Sequence, residues 1–137
     1  AEIARRRVRY LGGRAPLHLT SVGKLFLAAE PPERVRAYAT RTGLAGHTRN
    51  SLTQVAALER ELEGVRARGI AHDNEELEIG VRCIAAGVYD DAGKLVAGLS
   101  ISAPADRLEL AWADRVKATA QDISRALGHE APAKSGR

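Results

Sequence analysis

Apolar residues recur at intervals of three and four in four stretches of the sequence, a spacing that predicts amphipathic helices. Thr20 or Ser21 caps the first helix. Gly43 and Gly69 end the second and third, and the last helix begins within 105–108. The apolar stripes are, in chain order, Val22, Leu25, Phe26 and Ala29; Val35, Tyr38 and Ala39; Val55, Leu58, Leu62 and Val65; and Val116, Ala120, Ile123 and Leu127.

Shorter segments rich in β-branched and small residues predict strands between these helices. The segments 80–89 and 95–102 flank a turn of hairpin length and should pair antiparallel. Residues 70–74 form a further short strand, and 3–11, with four arginines, suits an exposed edge strand. The order strand, three helices, strand, hairpin, helix predicts an α+β fold of three layers, with a central antiparallel sheet flanked by helices.

Composition adds that this is one soluble globular domain. The 137 residues carry 21 Lys+Arg and 17 Asp+Glu, a net charge of +4, with 45% hydrophobic residues. No apolar run approaches the roughly 18 residues that cross a bilayer, and no signal peptide is visible, so we expect a cytoplasmic protein. The sequence contains no methionine, which leads us to expect a fragment of a longer chain.

The basic excess raises the possibility of nucleic-acid binding, but the rest of the sequence argues against it. Only 4% of residues are aromatic, and neither a recognition-helix pattern nor zinc-finger spacing is present. The single cysteine, Cys83, forms no internal disulfide, and a structural zinc site usually needs several thiolates. Direct DNA reading, a bound metal and a cofactor are therefore not expected.

The start of the first helix is one candidate site. The run 20–24, TSVGK, places free backbone amides and the positive end of the helix dipole at one point, which favours an anion. The run lacks the first glycine of a nucleotide-binding Walker loop. The alternative is a capped helix in which Gly23 only permits close packing.

A second candidate is a set of small polar residues on or beside the strands: Asp73, Cys83, Ser100 and Ser102. Ser100 and Ser102 are two apart and share one strand face. If Cys83 lies on that face, these groups point into one space, as a small metabolite requires. Alternatively, they are small residues that fill tight places under a helix.

Cys83 could instead be a catalytic nucleophile, which would need a base and an orienting partner. The candidate bases are His18, His47 and His72, and their spacing selects none of them. A second alternative is metal binding by His72, Asp73, Cys83 and the nearby glutamates, but the acidic run 75–78 is more simply a solvated turn. A cysteine-dependent small-molecule hydrolase remains the alternative function.

Four ordered motifs of the sequence resemble the carboxyl-terminal effector-binding domain of IclR-family transcription regulators. They are GRAPLHLTSVGK (13–24), RGIAHDNEE (68–76), GVRCIAA (80–86) and LSISAP (99–104). The small, polar residues 129–137 are predicted to be a disordered tail. The resemblance implies a GAF/profilin-like fold over 1–128. It also implies that a winged helix-turn-helix domain and the first strands of the effector domain are missing from the amino-terminal side.

Further implications of the resemblance concern ligand and assembly. The effector is a small organic acid or aromatic metabolite, DNA is bound only through the missing domain, no membrane is involved, and the regulator is a homodimer or homotetramer. The domain is not an enzyme, and the effector acts by shifting populations. The pocket positions fall on the amides of Ser21 and Val22, on apolar Val81, and on Asp73, Cys83, Ser100 and Ser102.

Two positions depart from the family pattern. Ser21 stands where glycine or alanine is common, so its hydroxyl adds a donor or narrows the space. Asn74 stands where a second aspartate is common, which lowers the local charge and weakens the case for a metal.

Overall fold

The computed structural model describes residues 15–130, so the predicted strand at 3–11 and the end of the predicted tail, 131–137, lie outside the described residues. A single 3-10 turn, Leu17–Leu19, precedes the first helix. The elements that follow are, in chain order, α1 (Ser21–Ala28), α2 (Pro32–Thr42), α3 (Val55–Arg68), β1 (Ile70–Asn74), β2 (Val81–Tyr89), β3 (Leu95–Pro104) and α4 (Trp112–Ala126).

The three strands form an antiparallel sheet in the order β1-β2-β3. Helix α1 contacts all three strands, whereas α4 contacts β2 and β3. Their buried residues fall into two separate clusters. We therefore distinguish an α1 face, with Ala71 and Ala85, from an α4 face, with Ile70, Ile84 and Ala86. The predicted α+β fold with a central antiparallel sheet and helices on either side is confirmed.

Helix ends follow the predicted residues. Thr20 caps α1, because its Oγ1 accepts the amide N–H of Gly23 at 3.0 Å. Gly43 and Gly69 follow α2 and α3 with φ of 65° and 72°, a left-handed conformation that costs glycine little.

The buried side of α1 differs from the predicted stripe. Lys24, Leu27 and Ala28 are buried, whereas Ala29 is exposed and Phe26 is only half-buried. The helix lies between the sheet and α3, and it touches both, so apolar residues are needed on more than one side. A single stripe at helical spacing could not describe such a helix.

The last helix differs from the prediction in its first residue and in its buried side. It begins at Trp112 and not within 105–108, because the segment after β3 forms tight turns in which Pro104 accepts the amide N–H groups of Arg107 and Leu108. Ile123 and Leu127, predicted to be buried, are 38% and 49% exposed.

Ser124 takes the core position instead. Its hydroxyl donates to the Ala120 carbonyl at 2.8 Å and accepts the Tyr89 amide N–H at 2.9 Å. A serine that bonds in both directions can be buried without leaving an unsatisfied group. Hydrophobicity alone therefore predicts the wrong buried side for the end of α4.

Candidate functional site

The sheet register brings the predicted strand residues onto one face. Asp73 pairs with Cys83, and Cys83 pairs with Ser102, so the three form a row across β1, β2 and β3. The Cys83 Sγ and Ser102 Oγ atoms are 3.0 Å apart. Ser100 pairs with Ala85 and therefore lies on the same α1 face, one row along. The condition set by the sequence, that Cys83 share a face with the two serines, is met.

The row changes in exposure from one side of the sheet to the other. Asp73 and Cys83 are buried, whereas Ser100 and Ser102 on β3 are exposed. Val81 lies two residues before Cys83, on the same face, and is buried. The site thus has buried polar groups at β1 and β2, a buried apolar residue beside them, and exposed hydroxyls at β3.

The start of α1 packs against β3 at Gly98, the next residue beyond Ser100 on the same face of that strand. A Cβ atom on Gly98 of β3 would come within 2.9 Å of a Val22 methyl carbon, which places the first turn of α1 directly against the sheet. Ser21 is buried and Val22 is half-buried. As the first two helical residues, they have amide N–H groups without an intrahelical acceptor.

Asp73 also has a structural contact. Its Oδ1 accepts the amide N–H of Glu76 at 2.8 Å, which closes the turn after β1. Arg82 supports the same turn, because its Nε donates to Oδ1 of Asn74 at 3.2 Å. A cleft of about 570 Å³ opens beside the turn and is lined in part by Asn74, Glu76 and Arg82.

The loop before α3 is bound to this turn through hydroxyl groups. The Thr48 hydroxyl donates to the Glu75 carbonyl at 2.6 Å, and the Ser51 hydroxyl donates to the Glu76 carbonyl at 2.6 Å. The side-chain amide of Asn50 donates through Nδ2 to the backbone carbonyl of Asn74 at 3.2 Å. The acidic run is therefore an anchored turn and not the solvated one that the sequence suggested.

Sequence reasoning missed Lys24. Its side chain is fully buried, and its ammonium group lies 2.9 Å from Glu61 Oε2, 2.8 Å from Glu76 Oε1 and 2.7 Å from the His72 carbonyl. One signal was available: Lys24 is the only charged residue in a short helix that is otherwise apolar on most sides. A cation there must be buried with partners.

The three histidines that the sequence offers as bases lie in three different surroundings. The His18 ring bonds the Tyr38 hydroxyl through Nδ1 at 2.8 Å and the Ala45 carbonyl through Nε2 at 2.9 Å. His72 pairs with Ile84 and so lies on the α4 face, opposite Cys83. His47 is in the exposed loop before α3. The geometry gives no support to a cysteine–histidine pair.

The contacts of His18 select one tautomer of its neutral ring. A carbonyl only accepts, so Nε2 carries the proton, and Nδ1 accepts from the Tyr38 hydroxyl. Burial lowers the pKa of His18 below its usual 6.5. Burial, followed by the charge of Arg68, lowers the pKa of His72 as well. Both rings are therefore more readily protonated in the unfolded chain.

These shifts predict a pH dependence of stability. Between the folded-state pKa of His18 and its usual value of 6.5, the unfolded chain binds more protons than the folded domain. The free energy of unfolding is therefore highest above pH 6.5, and it decreases as the pH falls below that value. Urea unfolding at about pH 7.5 and about pH 5.5, above the range in which most carboxylates titrate, checks this. The loss should be smaller in His18→Gln, and an equal loss in both proteins would contradict the assignment to His18.

Within residues 15–130, no three or more His, Cys, Asp or Glu side chains are grouped so that they could hold a metal ion. Over the same range, no helix is long and apolar enough to cross a membrane.

Comparisons with known proteins agree with this architecture. The family model described as bacterial transcriptional regulator IclR C-terminal matches residues 2–128. The HTH-type transcriptional repressor AllR of Salmonella paratyphi A is 40% identical over 126 residues, which are 89% of this chain and 46% of that protein. The chain thus spans about half the length of the curated relatives it matches. These relatives are repressors, so the comparisons favour a regulatory protein over an enzyme.

Solved structures give the same result. The carboxyl-terminal domain of the E. coli regulator KdgR is 35% identical, with a TM-score of 0.76, and the match covers 85% of this chain and 74% of that one. A double mutant of the PobR inducer-binding domain from Acinetobacter, in complex with 3-hydroxybenzoic acid, is 27% identical with a TM-score of 0.77, over 86% of this chain and 68% of that one. The chain therefore belongs to the IclR family of bacterial transcriptional regulators and corresponds to their carboxyl-terminal domain.

Proposed function

We propose that this domain binds a small organic acid or aromatic metabolite on the α1 face and thereby controls a DNA-binding domain elsewhere in the regulator. The observation that carries the proposal is the alignment of Asp73, Cys83 and Ser102 in one row on the α1 face of the sheet. The described structure of PobR, an inducer-binding domain with a hydroxybenzoic acid, supports this class of ligand.

Each group has a role that its chemistry suits. A ligand carboxylate accepts hydrogen bonds from the amides of Ser21 and Val22 and from the hydroxyls of Ser100 and Ser102. Asp73 accepts a hydroxyl group of the ligand, since an ionised carboxylate can only accept.

Two further residues complete this lining. Cys83 provides a weak, polarisable contact. Val81 provides apolar surface at the margin of the site, where an aromatic ring or alkyl chain would pack.

The regulatory step is a population shift. A ligand that binds one arrangement of the domain more tightly than another favours that arrangement, and no bond is broken. The attached DNA-binding domains then change their spacing or their oligomeric state. The HTH-type repressors among the relatives support this link to DNA.

We also propose that the regulator acts in the cytoplasm as a homodimer or homotetramer. Several large apolar residues of α4 and its flanks are exposed, which favours contact with another copy of the chain: Leu110, Ile123 and Leu127. Sedimentation equilibrium of this chain should then give the mass of a dimer or a tetramer, and not the 14.7 kDa of a single chain.

A thermal-shift screen of small carboxylic acids and phenolic acids tests ligand binding, with 3-hydroxybenzoic acid as the first probe. A ligand that binds only the folded domain stabilises it by about 2.7 kcal/mol at a hundred times its dissociation constant. If no acid in the panel shifts the transition at millimolar concentration, the proposed ligand class is wrong.

Variants of the site locate the ligand. The double substitution Ser100→Ala, Ser102→Ala should weaken binding of a carboxylic acid by at least about tenfold, because each lost bond to a charged group is worth about 1.5–3 kcal/mol. Calorimetry measures the affinity. Thr40→Ala, Thr119→Ala removes two exposed hydroxyls from α2 and α4 and serves as the matched control. Equal affinities in both double variants would place the ligand away from the α1 face.

A further inference from the structure

Lys24 is a buried cation held by three separate parts of the chain. Its ammonium group reaches Glu61 of α3, Glu76 of the turn after β1, and the backbone carbonyl of His72 in β1. The ammonium donates hydrogen bonds to Glu61 Oε2 and to the His72 carbonyl, and it forms an ion pair with Glu76 Oε1 at 2.8 Å. Burial of a charge is tolerated when the charge is paired in this way, so the position of each acceptor is tied to that of Lys24.

Glu76 transmits this constraint to the candidate site. One carboxylate oxygen, Oε1, faces Lys24, and the other, Oε2, accepts the amide N–H of Asn74 at 3.0 Å. The amide N–H of Glu76 donates to Asp73 Oδ1 at 2.8 Å. A continuous path of polar contacts thus runs from Lys24 through Glu76 to the carboxylate of Asp73.

Helix α1 contributes to both ends of this arrangement. Its first turn provides the amides of Ser21 and Val22, and Lys24 lies on the next turn. The same short helix therefore supplies the two amides that would bind a ligand carboxylate and, through Glu76, positions the Asp73 carboxylate that would accept a ligand hydroxyl. The separation between these two groups decides which ligands fit.

We propose that Lys24 is a positioning residue of the effector site, which fixes the Asp73 carboxylate through Glu76 and so determines the preference for hydroxylated ligands. The proposed role of Lys24 in ligand preference rests on the proposed function. Its proposed role in positioning the turn does not, because the backbone amides of Asn74 and Glu76 report on the turn without a ligand.

Hydrogen exchange measured by NMR tests the positioning of the turn. In Lys24→Met, the amides of Asn74 and Glu76 should exchange at least about tenfold faster relative to the amide of Ile84, which lies in the central strand and reports global opening. Lys117→Met is the matched control, because the Lys117 ammonium also donates to a backbone carbonyl at 2.7 Å but is remote from the row.

A second variant covers the case in which Lys24→Met does not fold. Glu76→Gln has the same shape and removes only the charge that faces Lys24, and it should accelerate exchange at the same two amides. If Asn74 and Glu76 change no more than Ile84 in either folded variant, the turn is not positioned by Lys24 and the proposal is overturned.

The ligand arm compares 3-hydroxybenzoate with benzoate by calorimetry. We expect the wild-type domain to prefer the hydroxylated acid, and this preference should fall at least about fivefold in Lys24→Met and in Asp73→Asn but not in Lys117→Met. An equal weakening of both acids in Lys24→Met would overturn the role in specificity. If exchange responds as expected but neither acid binds, the positioning stands and the proposed ligand class fails.

Discussion

Replacing Lys24 by methionine should lower the free energy of unfolding by about 3–5 kcal/mol, the usual effect of removing one partner of a buried ion pair. The loss arises less from the missing bonds than from Glu76, whose carboxylate is left buried without its cation. Glu61 is 28% exposed and can be solvated, so it adds less to the loss. Urea unfolding followed by circular dichroism measures the difference.

The double variant Lys24→Met, Glu76→Gln separates these two causes. Because it removes the stranded charge as well, its loss should be smaller than the sum of the two single losses. Lys117→Met provides the baseline for an exposed lysine that bonds a carbonyl, with an expected change of about 1 kcal/mol or less. Strict additivity of the two single losses would show that Lys24 and Glu76 do not interact energetically.

The fold was predictable because the relevant signals are local. Apolar spacing located all four helices, and Gly43 and Gly69 ended two of them with the left-handed conformation that their position required. The hairpin between β2 and β3 followed from a short polar turn between two apolar segments. These features depend on neighbours in sequence, and tertiary contacts did not override them.

The sequence gives part of the geometry of the candidate site but not its full arrangement. A spacing of two places Ser100 and Ser102 on one face of a strand, which the sequence alone dictates. That Asp73, Cys83 and Ser102 form one row depends on the register between three strands, and no single strand contains that information. The family resemblance supplied the grouping, and the register provides its geometry.

Polar residues in the core account for most of what sequence reasoning missed. Lys24 and Ser124 are buried because distant groups satisfy them: Glu76 and the His72 carbonyl for one, the Tyr89 amide for the other. Hydrophobicity counts both as surface residues. Such positions become visible only when the tertiary partners are known.

Gly23→Ala should destabilise the domain by about 1–3 kcal/mol or more, the range for forcing a group into a well-packed place. A Cβ atom there would lie 2.3 Å from the Leu17 carbonyl oxygen and 2.4 Å from Thr20 Oγ1. The first contact is with backbone, which cannot rotate away as a side chain can. The second involves the hydroxyl that caps α1, so relief of the clash also disrupts the cap. Thermal and urea unfolding measure the loss.

Gly64→Ala is the matched control for this variant, and its effect should have the opposite sign. Gly64 lies inside α3, and the three atoms nearest to a Cβ atom there belong to the guanidinium end of the flexible Arg68 side chain. Alanine is favoured over glycine within a helix by about 0.8–1 kcal/mol, so this variant should be more stable than the wild type. If both substitutions stabilise the domain, the start of α1 is not packed tightly against Leu17.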